Sequence, residues 1–281
     1  MRRIITAVCF AVMATSLAAQ RAAVLPFVRI TAPLRDKTFR DGTFTLTQDG
    51  DTLLHSRAQL RYRGASSMLY AKKSIALKLL KDNGDKRNAA LLGMRKDNYW
   101  ILDAAAIDMS RMRNRVSTDL WLDFSRRPQW FEGHEAIANG TRGQFVEVYV
   151  NDDYQGIFCL TERVDRKQLG LDKWDEDTQN IHGYMVKAAG YSPNTAFTSN
   201  DNSLANDTLT RWGGFEASYP DADDGEPWTW KHVTNMLSRV SLATKSKREE
   251  VVNSHFDMDV LCDYSLLTVL LYAEDNQCKH F

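Results

Sequence analysis

Small and basic residues come together between positions 63 and 73. The run Arg63-Gly64-Ala65-Ser66-Ser67 is followed by the adjacent pair Lys72 and Lys73. Small residues let backbone N–H groups and hydroxyls approach a phosphate group closely, and a lysine neutralises its charge. The segment therefore predicts a phosphate-binding loop, whose candidate contacts are Arg63, Gly64, Ser66, Ser67, Lys72 and Lys73. An ordinary hairpin loop followed by a solvated basic pair is the competing interpretation, because short Gly/Ser loops are common.

A second polar group, Asp275-Asn276-Gln277-Cys278-Lys279-His280, follows a helix that we expect to end near Tyr272. A carboxylate at the end of a helix, with polar side chains after it, is able to orient a hydroxyl group and to bind a cation. Asp275 is therefore the candidate catalytic residue. The competing interpretation is a polar helix C-terminus without chemistry.

Other functional classes lack their signals. The chain has no Walker loop, no H-E-x-x-H and no G-x-S-x-G. Beyond the first twenty residues, Cys159, Cys262 and Cys278 are an odd and widely spaced set without zinc-site spacing. The 36 basic and 36 acidic side chains balance. Because nucleic-acid binding demands a basic excess, we expect no nucleic-acid partner.

Strands flank the first candidate group. The alternation in Thr43–Thr47 indicates one strand, and Leu60–Arg63 and Lys73–Leu79 indicate two more on either side of the small-residue loop. The clearest hairpin joins Gln144–Val150 to Gly156–Val164 through the turn residues between them. The first half of the chain is therefore predicted to be mainly β.

Helices dominate the later part of the predicted order. Ser110 is expected to cap a helix in which Met112, Val116, Leu120 and Phe124 recur on one face. Further helices are predicted over Trp228–Val240, Lys245–Ser254 and Asp259–Tyr272. The predicted order has strands and one helix first and mostly helices afterwards. This order predicts a two-lobed α+β fold.

The N-terminus has the pattern of a secretory signal peptide. Arg2 and Arg3 precede the mostly apolar stretch Ile4–Leu17, and Ser16-Leu17-Ala18 offers small residues to a signal peptidase. We predict a signal peptide over residues 1–18, a domain over 19–281, and export to the periplasm, the cell surface or the medium. No later stretch reaches the length of about 20 apolar residues that spans a membrane.

Taken together, these segments resemble the spore coat protein H (CotH) family. Its R-G-x-S-S…K-K-S pattern is similar to residues 63–74 of this chain. Further segments similar to the family follow in the expected order: Leu91–Met94, Asn98–Leu102, Asp108–Asn114, Phe145–Val164, Gly183–Lys187 and Asp257–Phe281. A set of ordered segments is far more specific than any one short motif.

CotH proteins are atypical members of the protein-kinase-like fold, so the resemblance implies ATP and Mg²⁺ as cofactors in a site between two lobes. It also implies that Arg63–Ser67 cover the phosphates and that Lys73 pairs with them, with Lys72 as the alternative. Asp275 would orient a Ser or Thr hydroxyl of a secreted or surface protein. The reaction would depend on positioning and charge neutralisation.

The end of the sequence departs from the family pattern. His280 stands where the family has a metal-binding Asn, and the family's second metal-binding Asp is expected beyond Phe281. We therefore assign no residue to the metal, expect the kinase-like domain to be truncated at its C-terminus, and expect no Mg²⁺–ATP turnover by the chain as given. A non-catalytic kinase-like surface or adhesion module is the alternative function.

Overall fold

The structure is a computed structural model that describes residues 24–131, 137–178, 180–221 and 226–276. The predicted signal peptide and His280 lie outside these ranges. The chain divides into two units. The first comprises the described residues up to Leu91 together with Lys96–Ile107 and Gln144–Leu160, and the second comprises Leu92–Arg95, Asp108–Gly143 and the residues from Thr161 onward.

The first unit is built from strands. They are β1 Phe27–Thr31, β2 Arg40–Gln48, β3 Asp51–Arg63, β4 Ser74–Leu80, β5 Ala89–Ala90, β6 Lys96–Asp97, β7 Tyr99–Asp103, β8 Gly143–Val150 and β9 Asp153–Thr161. Seven of them form a closed barrel in the order β1-β2-β3-β4-β7-β9-β8, and β5 and β6 form a separate pair. The predicted strands at Thr43–Thr47, Leu60–Arg63 and Lys73–Leu79 correspond to parts of β2, β3 and β4.

Alternating apolar residues fill the barrel. Leu60, Leu77 and Trp100 lie opposite one another across β3, β4 and β7. Each of these side chains is 0% exposed. Since successive side chains of a strand point to opposite faces, the residues next to them in sequence lie on the outside of the barrel. The period-two pattern of the sequence therefore sets which face of each strand is core.

The barrel closes where β1 pairs with β8 in parallel, with Phe27 opposite Glu147 and Ile30 opposite Val150. The backbone N–H of Asn151 donates to the carbonyl of Ile30 at 2.8 Å. The Asn151 side chain then bridges the backbone of Ala32, accepting from its N–H at 3.0 Å and donating to its carbonyl at 3.1 Å. One residue thus fixes the end of β1 to the end of β8.

The predicted hairpin is confirmed as β8 and β9, with a shorter turn than expected. Asn151 and Asp152 alone connect the strands, and both have positive φ, 50° and 67°. Two-residue hairpin turns of this kind favour Asn and Asp, because these residues tolerate the left-handed region. The residues from Asp153 to Gly156, predicted to be turn, are the start of β9.

The second unit contains a small sheet and four helices in its described part. Strands β10 Met185–Ala188, β11 Arg211–Trp212 and β12 Phe215–Tyr219 are ordered β10-β12-β11. The helices are α1 Arg113–Phe124, α2 Lys231–Ser241, α3 Arg248–Asn253 and α4 Met258–Leu270. A cluster rich in tryptophan forms a core here: Ala188, Trp212, Phe215, Trp228, Trp230, Val233 and Leu237.

Helix α1 corrects two details of the sequence interpretation. It begins at Arg113, and Ser110 is not its N-cap. The predicted apolar face is largely outside, since Met112 and Val116 are each about half exposed. The buried residue of the helix is Arg115, which donates to the carbonyl of Thr141 at 2.9 Å. Apolar spacing located the helix but assigned the wrong face to the interior.

The expected two-lobed, kinase-like α+β fold is wrong. The described chain is mostly β, with a closed seven-stranded barrel and few helices. The fold was predicted wrongly because the sequence does not show which strands pair with one another. The alternation of apolar and polar residues identifies the buried face of a strand but not the strand next to it in the sheet. Closure joins Ala32 to Asn151, 119 residues apart in sequence. The sheet β10-β12-β11 also occupies a stretch for which no sheet was predicted.

None of the helices in the described ranges combines the length and the apolar character needed to cross a bilayer.

The packing of the barrel leaves no room for a side chain at Gly42 of β2. A Cβ there would overlap the backbone oxygen of Thr31 and would lie 2.7 Å from Cβ of Ala32. We expect Gly42→Ala to lower the free energy of unfolding in urea by about 1–3 kcal/mol, because the β1 backbone must shift. Gly190→Ala is the matched control, since no atom lies within 4 Å of a Cβ at Gly190. Equal effects of the two substitutions would contradict the close approach of β1 and β2.

Candidate functional site

The predicted phosphate loop connects β3 to β4 within the first unit. Arg63 is the last residue of β3 and lies opposite Ser74, the first residue of β4. Between them, Ser66–Leu69 form a short 3-10 helix without a buried residue. The Arg63 side chain is exposed. The loop is therefore anchored at both ends and open along its length.

Gly64 is required by the shape of this loop. Its φ is 128°, and a Cβ at this position would overlap the Ser67 hydroxyl. Other L residues rarely adopt such a conformation, so only glycine fits both the backbone and the space. The absence of a side chain leaves the Ser67 hydroxyl in contact range of the Gly64 backbone. The sequence prediction that Gly64, Ser66 and Ser67 form one tight loop is consistent with this geometry.

The two candidate lysines have different anchors. Lys72 donates from Nζ to the carbonyl of Ile157, and its Nζ lies 4.1 Å from the ring centroid of Phe158. Lys73 donates from Nζ to the carbonyl of Tyr70 at 2.9 Å. Lys72 is thus attached to strand β9, whereas Lys73 folds back on the loop itself. The ammonium group of Lys73 is held by a neutral carbonyl, which a phosphate oxygen would outcompete because its bond to an ammonium is charge-assisted.

Ser74 and Asp103 fix the strand immediately after the lysines, a contact that sequence reasoning missed. The Ser74 hydroxyl donates to Oδ1 of Asp103 at 3.1 Å and accepts from the backbone N–H of Ala104 at 3.0 Å. The N–H of Ala105 donates to the same carboxylate oxygen at 3.0 Å. This group holds the start of β4 against the end of β7. In the sequence, the only indication of this group of hydrogen bonds is the serine that directly follows the lysine pair.

Asp275 belongs to the second unit and not to the unit that carries the loop. It lies in the 3-10 segment Glu274–Asn276 after α4. The Tyr264 hydroxyl donates to the carbonyl of Asn276 at 2.8 Å, which ties this segment to α4. The side chain of Asp275 is outside the described part of the structure. Its predicted catalytic role therefore stays a prediction.

Across the ranges that the structure describes, no group of three or more His, Cys, Asp or Glu residues is placed to hold a metal ion. No residue of these ranges is therefore assigned to a metal.

A model of the family described as CotH kinase protein matches residues 60–280. The chain belongs to the CotH kinase family. The resemblance predicted from the ordered segments is thereby confirmed. Membership indicates a kinase-like function, and every candidate residue from Arg63 to Asp275 lies within the matched range. No curated protein matches the chain in a sequence search.

Within the CotH match, sequence reasoning gave no role to Glu162, a buried carboxylate of the second unit that accepts several hydrogen bonds. Its side chain is 1% exposed. It accepts from the backbone N–H groups of Arg95 and Arg142 at 2.8 and 2.7 Å, and from Nε and Nη2 of Arg142 at 3.1 and 2.9 Å. Because these four bonds occupy both oxygens, Glu162 serves as a structural anchor and not as a general base.

Arg95 extends this network through the second unit. Its Nη2 donates to Asp165 at 3.0 Å, and its Nη1 lies 3.4 Å from Oε1 of Gln168. Gln168 in turn donates to the carbonyls of Ala138 and Gly140. A buried ion pair is tolerated only when its remaining polar atoms are bonded in this way. The only signal for it in the sequence is a charged residue directly after an apolar strand.

Asp108, in the CotH segment that precedes α1, replaces Ser110 as the residue that caps the helix. Its Oδ2 accepts from the backbone N–H groups of Met112 and Arg113 at 2.9 and 2.8 Å. The hydrogen bond from the Arg113 N–H is the main cause that lowers the pKa of Asp108 to about 2, from an ordinary value of 3.8. A carboxylate near a helix N-terminus is also favoured by the helix dipole.

Asp108 predicts a pH-dependent contribution to stability. Because the pKa of its carboxyl is lower in the folded chain, the contribution is complete above the ordinary value of 3.8 and disappears as pH falls through about 2. We expect Asp108→Asn to lower the urea midpoint at pH 7. The difference from the unaltered chain should shrink as pH falls from about 4 to about 2.

Asp123 provides the matched control, because it is an exposed carboxylate near the other end of α1. Asp123→Asn should leave the urea midpoint unchanged or slightly raised, since a negative charge is unfavourable near a helix C-terminus. A difference between the unaltered chain and Asp108→Asn that stays constant from pH 7 to pH 2 would contradict the capping role.

Proposed function

We propose that this chain carries the ATP-binding loop of an exported CotH-type kinase, from Arg63 to Lys73, and that this kinase directs the phosphoryl group to Ser or Thr hydroxyls of secreted or surface proteins. The observation that carries the proposal is the family match over residues 60–280. The match supports a kinase-like function. ATP, the acceptor hydroxyl and export are the further parts of the proposal.

The loop geometry fits a bound phosphate. Gly64 allows the Ser67 hydroxyl to lie close to the backbone of the loop, since a Cβ at this position would overlap that hydroxyl. The exposed Arg63 guanidinium has no ion pair among the residues that the structure describes. An arginine fork is able to make two parallel hydrogen bonds to a phosphate. These features support the loop as the place where phosphate oxygens are held.

The lysines would supply the remaining positive charge. Lys73 is the proposed partner of the phosphates, because within the described ranges its ammonium group donates to a carbonyl of the same loop. Lys72 is the alternative, and its position over Phe158 attaches it to the barrel. ATP supplies the transferable phosphoryl group when it is bound. The residues of the loop hold and neutralise the phosphates, and the barrel keeps the two ends of the loop fixed.

In the second unit, Asp275 is the proposed group that orients the acceptor hydroxyl and takes its proton. A carboxylate performs this role when it lies within hydrogen-bond distance of the hydroxyl. The described residues include no cluster of His, Cys, Asp or Glu that fits Mg²⁺. The signal-peptide pattern at the N-terminus supports export, and a secreted or surface protein follows as the substrate class.

The proposal predicts that Lys73 contributes to ATP binding. Loss of one charge-assisted bond costs about 1.5–3 kcal/mol, so Lys73→Ala should weaken ATP binding about 10- to 100-fold in a calorimetric titration. The titration is run with the mature chain, with and without Mg²⁺. Lys86→Ala is the control, because Lys86 is an exposed lysine of the same unit. The affinity of this variant for ATP should stay within about twofold of that of the unaltered chain.

The other outcomes separate the alternatives. A larger loss for Lys72→Ala than for Lys73→Ala would assign the phosphates to Lys72. No binding by a chain that is folded by circular dichroism would contradict the ATP site. Binding without transfer of labelled phosphate to an acceptor protein agrees with the expected lack of turnover and with a non-catalytic kinase-like surface module. Transfer that Asp275→Asn abolishes would favour the kinase.

A further inference from the structure

A cluster of rings and cations lies on the outer face of the barrel, formed by Phe39, Arg61, Lys78 and Tyr99. We refer to these four residues as the Phe39 cluster. The guanidinium carbon of Arg61 lies 4.5 Å from the centroid of the Phe39 ring. Nζ of Lys78 lies 4.5 Å from the same centroid and 5.7 Å from that of Tyr99. The two rings are 6.2 Å apart and tilted.

Strand register places the two cations on one face. Lys78 of β4 lies opposite Gln59 of β3 and opposite Tyr99 of β7. Arg61 is two residues beyond Gln59 along β3 and therefore projects to the same side of the sheet. The neighbouring residues Leu60, Leu77 and Leu79 are 0% exposed in the barrel core. Arg61 and Lys78 are each partly exposed, so solvent reaches them.

Arg61 and Lys78 lie close to the same ring, and neither forms an ion pair within the described ranges. Since each charged group is 4.5 Å from one centroid, they are separated by at most twice that distance. Within the described ranges neither has a carboxylate at ion-pair distance, and Arg61 donates only to the carbonyl of Lys37 at 3.1 Å. Like charges this close repel, because their separation is no greater than about one Debye length at physiological salt.

The nearby carboxylates are already occupied. Asp36 accepts from Arg40 at 3.0 Å and from the N–H of Thr38 at 2.7 Å. Asp41 accepts from Gln59 at 3.3 Å. Since neither carboxylate forms an ion pair with Arg61 or Lys78, an anion from outside the chain would offset these two charges more directly.

The rings limit which anion fits. Arg61 and Lys78 both lie over the Phe39 ring, so a sugar or a base that stacked where they lie would have to displace a cation. The chain also carries no net positive charge to attract a nucleic acid, with 36 basic and 36 acidic residues. Localised carboxylates match the arrangement better, because a guanidinium and an ammonium each bind one carboxylate directly.

We propose that the Phe39 cluster binds an acidic segment of a protein partner in extended conformation. Alternate residues of an extended chain lie on one side and about 6.6 Å apart, which is within the maximum separation of the two cations. Two acidic side chains at positions i and i+2 would then reach Arg61 and Lys78 together. The inference does not depend on phosphoryl transfer, because the cluster contains none of the proposed ATP-binding residues.

The test uses a fluorescein-labelled eight-residue peptide of alternating Asp and Ala, measured by fluorescence anisotropy against the mature chain. A peptide of alternating Asn and Ala is the neutral comparison. Replacing both cations in the Arg61→Gln/Lys78→Gln variant should weaken binding of the Asp peptide about tenfold or more. Phe39→Leu should weaken it about threefold or more, because the charges remain but the ring that aligns them is lost.

Lys81→Gln/Lys86→Gln is the matched control, since it removes the same charge from exposed positions of the same unit. The affinity of this control variant for the Asp peptide should differ from that of the unaltered chain by less than about twofold. Equal losses in the two double variants, equal binding of the Asn peptide, or binding only to vesicles containing phosphatidylserine would overturn the proposal.

Hydrogen exchange of the unaltered chain tests the same surface without a substitution. Adding the Asp peptide should slow exchange in the segments that carry the cluster, namely residues 36–41, 59–63, 76–80 and 97–101. Slowing confined to other segments would overturn the assignment of the surface.

Discussion

The parallel pairing of β1 with β8 is the contact on which the first unit depends. Without it, the strands would form an open sheet with two unpaired edges, and edge strands expose N–H and C=O groups. The Asn151 side chain completes this pairing by bonding both backbone groups of Ala32. Its left-handed φ of 50° also makes the turn between β8 and β9. One residue therefore links the hairpin turn to the closure of the barrel.

A closed barrel explains how an exposed loop can be held in a fixed place. The loop after Arg63 has no buried residue in its 3-10 helix, so packing within the loop does not order it. Its ends are instead held by the pairing of Arg63 with Ser74 and by the bond from Ser74 to Asp103. Candidate binding groups on loops commonly depend on such a rigid support.

The second unit is organised by buried charge as well as by apolar packing. Glu162 receives two backbone and two side-chain hydrogen bonds and draws Arg95 and Arg142 to one point. Removing one partner of such a group leaves an uncompensated buried charge, which is strongly destabilising. This arrangement explains why charged residues, and not further apolar ones, stand directly after β9.

Local features of the fold were predictable from the sequence, and long-range ones were not. Alternation identified β2 to β4, and the Asn-Asp pair identified the hairpin, because both signals depend on neighbouring residues. The family resemblance, carried by Arg63–Ser74 and the segments after it, was confirmed. The closure at Asn151, the burial of Arg115 and the partners of Glu162 depend on residues distant in sequence, which periodicity does not reveal. For this reason the predicted kinase-like fold was wrong, although the strands that were predicted correspond to β2 to β4, β8 and β9.

Amide hydrogen exchange at the junction of β1 and β8 tests the closed barrel most directly. The N–H of Glu147 donates to the carbonyl of Pro26 at 2.9 Å and that of Asn151 to the carbonyl of Ile30 at 2.8 Å. Closure predicts that both amides exchange about 10³-fold or more slowly than unprotected amides, as do those in the middle of β3. Rapid exchange at Glu147 and Asn151, with β3 still protected, would show that the sheet is open and would contradict this account.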